Sequence, residues 1–273
     1  MIPARFDYEV AESVDHAVEL LGSGRDAKLL AGGHSLLPLM RLRLARPELL
    51  VDVGRLSDLS YVREDGDAIA IGALTRYSDL EQSDLLRTEC PIVASTAGLV
   101  GDPQVRHRGT IGGSVAHCDP ASDAPTVLLA LDAELIVQGP GGERRLPVAE
   151  SFGGFLQTAL DPREVLTEIR VPKTGDAGWA YEKFNRRAQD WATVAVAAVR
   201  MNGGAHVALT NMGATALRAA GVEEALSGGA DPAAAAERAA EGTSPPSDHN
   251  ASGEYRENLA RVLTRRALEQ ALA

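Results

Sequence analysis

Two stretches that each hold a pair of adjacent glycines constrain the fold of this chain most. They are residues 30–39, LAGGHSLLPL, and residues 109–114, GTIGGS. The first begins at the end of a short apolar run, residues 27–30, which predicts a buried strand. Glycine adopts positive φ and has no Cβ, so the backbone N–H groups of such a stretch can close on a ligand. Consecutive N–H groups form a concavity that binds anions.

The two stretches together predict two backbone nests that share the two phosphates of a dinucleotide. Neither stretch matches the GxGxxG or GxxxxGK[ST] pattern of the common nucleotide-binding loops. Because glycine pairs usually mark plain turns, an ordinary turn is the alternative interpretation of either stretch taken alone.

The composition predicts a soluble globular protein that does not bind nucleic acid. The chain has 273 residues, 45% apolar and 24% charged, a length that allows two domains or three small ones. Its net charge of −11 argues against nucleic acid or an anionic membrane as a partner. The first ten residues contain no apolar signal region, and the longest uncharged apolar run, residues 191–199, has the length of a strand. We therefore expect no transmembrane segment and a cytoplasmic location.

The cysteine and histidine residues predict that this chain holds no metal centre. There are two cysteines, Cys90 and Cys118, whereas an iron–sulfur cluster needs four thiolates, or two thiolates and two histidines. His34, His107 and His117 are scattered among the glycine stretches without the spacing of a zinc site. We expect both cysteines to be reduced and buried.

Apolar runs, turns and helix caps divide the chain into three parts, residues 1–57, 58–174 and 178–273, with a linker at residues 172–178. The predicted helices comprise residues 13–21, 75–86, 91–99, 126–131, 216–226, 232–240 and 254–273. The predicted strands comprise residues 27–30, 49–53, 61–63, 68–71, 134–137, 143–146, 164–171, 180–184, 192–200 and 205–210. Turns at 65–66, 139–142 and 202–204 predict three hairpins.

The residues around both glycine pairs resemble the medium subunit of molybdenum-dependent hydroxylases, the family of carbon monoxide dehydrogenase and xanthine dehydrogenase. Residues 31–36, AGGHSL, followed by Pro38 and a Leu/Arg run, resemble its first flavin loop. Residues 106–125, RHRGTIGGSVAHCDPASDAP, resemble its second loop, and residues 182–192, EKFNRRAQDWA, resemble the opening of its C-terminal domain. These matches fall in order and cover essentially the whole chain. His107 departs from the pattern, in which Asn often follows the arginine, and this bears on the geometry beside the second loop.

The resemblance implies an α+β fold. A two-lobed FAD-binding domain of the vanillyl-alcohol-oxidase (PCMH) type, with a small N-terminal lobe and a mixed sheet in the second lobe, is followed by a C-terminal domain of an antiparallel sheet plus helices. FAD would lie extended between the two lobes. The cofactor-binding residues implied by the resemblance are Ala31, Gly32, Gly33, His34, Ser35, Leu36, Gly109, Thr110, Gly112, Gly113, Ser114, Asp123, Leu166, Lys183 and Trp191.

The resemblance implies a role in FAD binding for each of these residues. The backbone of residues 31–36 and 110–114 would hold the pyrophosphate, and the hydroxyls of Ser35, Thr110 and Ser114 can add donors. Asp123 matches the acid that binds the adenosine end of FAD. Its alternative role is that of a first-turn acid that favours the helix dipole.

Leu166 and Lys183 match positions near the isoalloxazine ring, where a cation would tune the potential of the flavin. A solvated strand lysine is the alternative for Lys183. Trp191 matches a position close to the ring system, and core packing is its alternative. His34 follows the glycines as in a related family that attaches flavin covalently, but we expect non-covalent FAD here.

The implied function is that of an FAD-binding oxidoreductase subunit. It would pass electrons from the [2Fe-2S] clusters of a small partner subunit through FAD to an external acceptor, which could be a quinone, oxygen or NAD. The molybdenum cofactor would reside in a large partner subunit, and the complex would be a dimer of heterotrimers. One alternative is a stand-alone flavin oxidoreductase of the same fold; another is a non-catalytic nucleotide-binding assembly subunit.

Overall fold

The computed structural model describes residues 1–201 and 203–273, which form twelve α-helices and fourteen strands. The helices are α1 Val14–Leu21, α2 Leu36–Arg41, α3 Tyr77–Gln82, α4 Asp84–Glu89, α5 Pro91–Ala97, α6 Pro103–Arg106, α7 Ile111–His117, α8 Asp123–Ala130, α9 Val148–Ser151, α10 Ala220–Ser227, α11 Pro232–Ala236 and α12 Gly253–Ala271. Two 3₁₀ turns, Ser57–Leu59 and Glu237–Ala240, complete the helical part.

The strands are β1 Asp7–Val10, β2 Ala27–Leu30, β3 Leu49–Asp52, β4 Val62–Asp65, β5 Ala68–Gly72, β6 Glu134–Gly139, β7 Gly142–Pro147, β8 Phe152–Gly154, β9 Gln157–Thr158, β10 Val165–Pro172, β11 Trp179–Phe184, β12 Val194–Met201, β13 Gly204–Thr210 and β14 Leu217–Arg218. They form a three-stranded, a five-stranded and a four-stranded sheet, and β8 and β9 pair as a small hairpin.

The N-terminal part is a parallel sheet in the order β1-β3-β2 with α1 packed beside it. Ser13 caps α1 by accepting from the His16 N–H, as the sequence predicts. Strand β1 was not predicted, because three of its four residues are exposed and the strand lacks the apolar alternation of a half-buried strand.

The middle part contains a five-stranded sheet in the order β4-β5-β10-β6-β7. Every neighbouring pair in this sheet is antiparallel, so the expected mixed sheet is wrong. The reason is topological. Two hairpins, β4–β5 and β6–β7, supply four strands, and β10 runs antiparallel to the inner strand of each hairpin. The parallel pairings lie in the first sheet instead.

The single helix predicted over residues 75–86 is in fact two helices, α3 and α4. Ser83 interrupts it with an extended backbone, φ −68° and ψ 113°. Its hydroxyl accepts from the Leu86 N–H, so Ser83 is the N-cap of α4. A serine inside an amphipathic pattern can thus start a new helix, because its side chain satisfies a donor of the first turn.

The helix predicted over residues 216–226 begins later than expected. Leu217–Arg218 pairs with β13 as the short strand β14, and α10 begins at Ala220. The backbone of Arg218 is paired with Ala208 of β13, and its guanidinium bonds Glu223 and Asp132. The predicted hairpin turn between β12 and β13 includes Asn202, which lies outside the described residues.

The four-stranded sheet of the C-terminal part, β11-β12-β13-β14, is covered on both faces. Alternate residues of β12 point to opposite sides of the sheet. Ala197 and Val199 belong to the core shared with the middle part, whereas Val196 and Ala198 belong to the core shared with α10 and α12. All four of these side chains are fully buried, so β12 contributes to both cores, as does β13.

The end of α12 lies against the linker that precedes β11. A Cβ placed on Gly178 would meet the Ala271 carbonyl group, with the carbonyl carbon at 2.9 Å. The linker and the helix therefore approach each other closely only because residue 178 has no side chain.

We expect Gly178→Ala to lower the free energy of unfolding by about 2 kcal/mol, because the new methyl group pushes the end of α12 away from the sheet. The matched control is Gly141→Ala, where a Cβ meets nothing within 4 Å. The control should lie within about 0.5 kcal/mol of the unmodified chain. Urea unfolding of the three proteins checks this, and equal stabilities would contradict the close approach.

Candidate functional site

The first glycine stretch presents a run of backbone donors that the protein itself does not use. The N–H groups of residues 32–36 find no acceptor among the described residues. Gly33 has φ +75°, a left-handed conformation that glycine adopts without strain. Ser35 is the N-cap residue of α2, and its side chain makes no capping bond. Five consecutive amides without a protein acceptor, one of them at a left-handed glycine, are the feature that the predicted anion-binding nest requires.

The two glycine stretches lie in direct contact. A Cβ on Gly32 would overlap the Arg108 carbonyl oxygen and would lie 3.0 Å from the Gly109 Cα. Any residue with a side chain at position 32 would therefore force the stretches apart. This contact places the free donors of the first stretch beside the start of the second.

The second glycine stretch is a helix and not a second free loop, which corrects the expectation of two equivalent nests. Gly112 and Gly113 lie in the first turn of α7. The N–H groups of Ile111 and Gly112 donate to the Thr75 and Ala73 carbonyls at 3.1 and 2.9 Å.

The next two amides of α7 are also engaged. The Gly113 N–H donates to the Thr110 hydroxyl, 3.2 Å away, and the Ser114 N–H to the Thr110 carbonyl, 3.1 Å away. Thr110 is thus the N-cap of α7.

Gly112 has a packing role. A Cβ at this position would lie 2.6 Å from both the carbonyl oxygen and the Cβ of Ala73. The absence of a side chain lets α7 pack tightly against the segment that follows β5. Both glycine pairs therefore allow a close approach, but only the first leaves its amides without protein acceptors.

His34 points outward from the first stretch. Its side chain is exposed, and Nδ1 lies 3.1 Å from the Gly32 carbonyl oxygen of the same loop. The loop thus engages one ring nitrogen and leaves the other, Nε2, available.

Asp123 and Lys183 form a nearly enclosed ion pair. Lys183 Nζ donates to Asp123 Oδ2 at 2.8 Å and to the Leu99 carbonyl oxygen at 3.1 Å. Tyr181 donates its hydroxyl to Asp123 Oδ1 at 2.6 Å. Only 7% of the Lys183 side chain and 6% of the Asp123 side chain are exposed, so the alternative of a solvated lysine is wrong.

The resemblance assigns Asp123 to the adenosine end of FAD and Lys183 to the isoalloxazine ring, whereas the structure places their charged atoms 2.8 Å apart. A ligand that reached one of these side chains would therefore lie beside the other as well. Asp123 is also the first residue of α8, so its placement as a first-turn acid is confirmed.

Burial dominates the protonation behaviour of this cluster. It raises the pKa of Asp123 above its usual value, although the Lys183 ammonium acts in the opposite direction. Burial also raises the pKa of Tyr181 well above its usual value, and the Asp123 charge adds to this rise. Tyr181 therefore stays a neutral hydroxyl that donates to the carboxylate.

Leu166 and Trp191 occupy very different surroundings. Leu166 lies on β10 and is buried in the core of the middle part. Trp191 is 54% exposed, so core packing is wrong as its alternative role. It lines a cavity of about 660 Å³ together with Phe155, Arg186 and Asp119. No residue of either glycine stretch lines this cavity.

Sequence reasoning missed Tyr181 as a partner of Asp123. A tyrosine in a strand is an ordinary core residue, and only its position two residues before Lys183 places both side chains on one face of β11. Over residues 1–201 and 203–273, no cluster of three or more His, Cys, Asp or Glu side chains could hold a metal ion. In the same part of the chain, no helix combines the length and apolarity needed to cross a membrane.

We expect Lys183→Met to lower the free energy of unfolding by about 3 kcal/mol at neutral pH, because it leaves the buried Asp123 carboxylate without its cation. Loss of the cation raises the folded-state pKa of Asp123 further, so folding then takes up a proton. The loss of stability caused by Lys183→Met should shrink as the pH falls toward about 3.9, the pKa of an aspartate in the unfolded chain. Below that pH, Asp123 is protonated in both the folded and the unfolded state. Urea unfolding at pH values of about 7 and about 5 measures this trend.

The matched control is the double variant Asp123→Asn plus Lys183→Met, which has no carboxylate to titrate. Its loss of stability should be the same at both pH values. A loss in Lys183→Met that is equally independent of pH would contradict a charged Asp123 in this pair.

Comparisons with known proteins find relatives that match this chain along its whole length. The family model "FAD binding domain in molybdopterin dehydrogenase" matches residues 4–174, and "CO dehydrogenase flavoprotein C-terminal domain" matches residues 179–271. The carbon monoxide dehydrogenase medium chain of Hydrogenophaga pseudoflava is 43% identical, over 100% of this chain and 99% of that protein. The alpha subunit of the 6-hydroxypseudooxynicotine dehydrogenase complex of Paenarthrobacter nicotinovorans is 39% identical, over 100% of this chain and 96% of that protein.

Solved structures also match this chain over nearly its whole length. A chain of carbon monoxide dehydrogenase from Hydrogenophaga pseudoflava superposes with a TM-score of 0.96 at 45% identity, over 100% of this chain and 99% of that chain. A chain of quinoline 2-oxidoreductase from Pseudomonas putida 86 gives 0.92 at 30% identity, over 99% of this chain and 98% of that chain. The chain therefore belongs to the FAD-binding medium subunits of molybdenum hydroxylases, a family of oxidoreductase subunits that includes the medium chain of carbon monoxide dehydrogenase.

Proposed function

We propose that this chain passes electrons from the [2Fe-2S] clusters of a small partner subunit through FAD to an external acceptor. The observation that carries the proposal is the run of five unused backbone donors at residues 32–36 beside the second glycine stretch. Such a run fits the pyrophosphate of FAD, which needs several donors and a backbone free of side chains at close approach. Bound FAD supplies the redox chemistry, and the protein holds and orients it.

The residues that we assign to FAD are those of the two glycine stretches together with the cluster around α8. In the first stretch, Ala31 to Leu36 contribute the unused backbone donors of residues 32–36 and the Ser35 hydroxyl. In the second stretch, Gly109, Thr110, Gly112, Gly113 and Ser114 contribute mainly shape, because the amides of residues 111–114 are engaged within the protein. Asp123, Leu166, Lys183 and Trp191 complete the assignment.

The charge that Lys183 offers to FAD is smaller than the sequence suggests. Its ammonium is paired with Asp123, so the two side chains together carry no net charge. A ligand beside the pair meets a dipole and not an isolated cation. We therefore assign to the pair a role in orienting FAD through hydrogen bonds, with a reduced effect on its potential.

The cluster-bearing and molybdenum-bearing subunits are separate chains in this proposal. Cys90 and Cys118 are both buried and do not supply the four ligands of a cluster. We propose a small [2Fe-2S] subunit and a large molybdopterin subunit as partners, assembled as a dimer of heterotrimers. The cytoplasmic location and the division at residues 1–57, 58–174 and 178–273 remain predictions.

The large subunit sets the substrate in this proposal. The relatives of this chain belong to enzymes named for chemically different substrates: carbon monoxide, 6-hydroxypseudooxynicotine and quinoline. Because their FAD-binding subunits share one fold with this chain, the residues that choose the substrate lie elsewhere in the complex.

We expect Ser35→Asp to abolish FAD binding, with an affinity loss of at least about 100-fold, because it adds a carboxylate to the nest that receives the pyrophosphate. Aspartate is a favoured N-cap residue, so α2 should remain intact. The matched control is Ser13→Asp at the N-cap of α1, where the serine hydroxyl bonds the His16 N–H. Flavin content per complex and fluorescence titration with FAD measure the difference between the two variants.

The same pair of variants tests the electron route. In complexes purified with both partner subunits, we expect a soluble quinone to reoxidise dithionite-reduced clusters slowly in Ser35→Asp and rapidly in Ser13→Asp. Equal reoxidation rates would show that the acceptor takes electrons directly from the clusters. Retention of flavin by Ser35→Asp would contradict the nest at residues 32–36.

We expect FAD to be bound without a covalent link to His34. Acid precipitation of the complex should leave all yellow colour in the supernatant, for the unmodified chain and for His34→Ala alike. A coloured pellet from the unmodified chain that is colourless in His34→Ala would contradict this prediction.

A further inference from the structure

Asp123, the acid that we assign to FAD, is held by two residues of a different domain. Tyr181 and Lys183 are two residues apart on β11, so their side chains lie on the same face of the strand. Tyr181 donates to Asp123 Oδ1 at 2.6 Å, and Lys183 donates to Oδ2 at 2.8 Å. Each carboxylate oxygen thus has its own donor, and both donors come from the C-terminal sheet.

Small residues on the neighbouring strand make room for this arrangement. Tyr181 is paired with Ala197 on β12, and Lys183 is paired with Ala195. The face that carries Tyr181 packs against the middle part, where α8 contacts β12 and β13. The Asp123 carboxylate therefore sits at the junction of the two domains, where the surrounding protein limits its rotation.

A carboxylate whose two oxygens each accept a hydrogen bond from a fixed donor is held in one orientation. If it rotated, at least one oxygen would lose its donor inside the protein, which is costly for a buried polar group and more so for a charged one. The remaining lone pairs of both oxygens then point in fixed directions. This is the property that a residue needs when it receives hydrogen bonds from a ligand.

We propose that Tyr181 is a positioning residue of the FAD site. It fixes the Asp123 carboxylate from the C-terminal domain, so full FAD affinity requires that domain to be docked. The inference rests on the proposed function, in which Asp123 contacts FAD. Tyr181 itself acts through Asp123 and needs no contact with the cofactor.

Tyr181→Phe removes the hydroxyl donor and keeps the ring. In the complex purified with its partner subunits, we expect this variant to bind FAD about tenfold more weakly, because a hydrogen bond to a charged group is lost at the site. The matched control is Tyr61→Phe, since the Tyr61 hydroxyl also donates to a carboxylate, Glu168 Oε2, at 2.6 Å. The Tyr61 hydroxyl bonds Glu168 on β10 and makes no bond to either glycine stretch, although the Tyr61 backbone bonds Thr75. The Tyr61→Phe variant should therefore bind FAD as the unmodified chain does.

Two further readouts separate positioning from general stability. In an Asp123→Asn background, Tyr181→Phe should add nothing to the loss of FAD affinity, because its effect passes through the carboxylate. The visible circular dichroism of bound flavin should also change in Tyr181→Phe and stay unchanged in Tyr61→Phe, because Lys183, which bonds the same carboxylate as Tyr181, matches a position near the isoalloxazine ring.

These measurements separate a failure of this inference from a failure of the proposed function. Additive losses in the double variant, or a Tyr181→Phe protein with a lower melting temperature and an unchanged Kd for FAD, would overturn the inference. If the unmodified complex binds FAD tightly while Tyr181→Phe matches it, only this inference fails. If the unmodified complex does not bind FAD, the proposed function fails and this inference fails with it.

Discussion

The contact between the backbones of the two glycine stretches is the constraint on which the site depends. Gly32 lies so close to the Arg108 carbonyl that a side chain at position 32 does not fit. This contact joins the first stretch, which follows β2 of the N-terminal sheet, to residues 108–109, which precede α7 of the middle part. Because it is made by backbone atoms, its geometry is set by the chain conformation and not by flexible side chains. The free amides of residues 32–36 are therefore held in place by the same contact that joins the two lobes.

A second junction, between the middle part and the C-terminal domain, depends on β12. Alternate residues of this strand belong to two different cores, and most of them are alanine or valine. Small side chains on the face toward the middle part let α8 approach closely and leave space for the long side chains of Tyr181 and Lys183 on β11. The packing of this sheet thus decides where the Asp123 carboxylate is held, although Asp123 belongs to the middle part.

Much of this fold could be predicted from local patterns. The cap at Ser13 and the turn at Asp65-Gly66 identified α1 and the β4–β5 hairpin, because both signals act within a few residues. The structure of α7 could not be predicted in this way. Two glycines in a first turn disfavour a helix, and the helix forms because Thr110 caps it and Gly112 packs against Ala73, which is distant in sequence. Whether the amides of a glycine stretch are free or engaged depends on such distant carbonyls, so the sequence alone made the two stretches look equivalent.

The Asp123–Lys183 pair is better explained by position than by stability. Moving two charges out of water costs free energy that their attraction only partly returns, so a buried pair adds little to stability compared with apolar side chains of similar volume. A junction filled by leucine and methionine could hold the two domains together equally well. Such a junction would not fix the direction of a hydrogen-bonding group, whereas the pair and the Tyr181 hydroxyl fix both oxygens of one carboxylate. A buried charge that is costly, fully paired and placed beside α7 is therefore the arrangement expected where a ligand must be oriented.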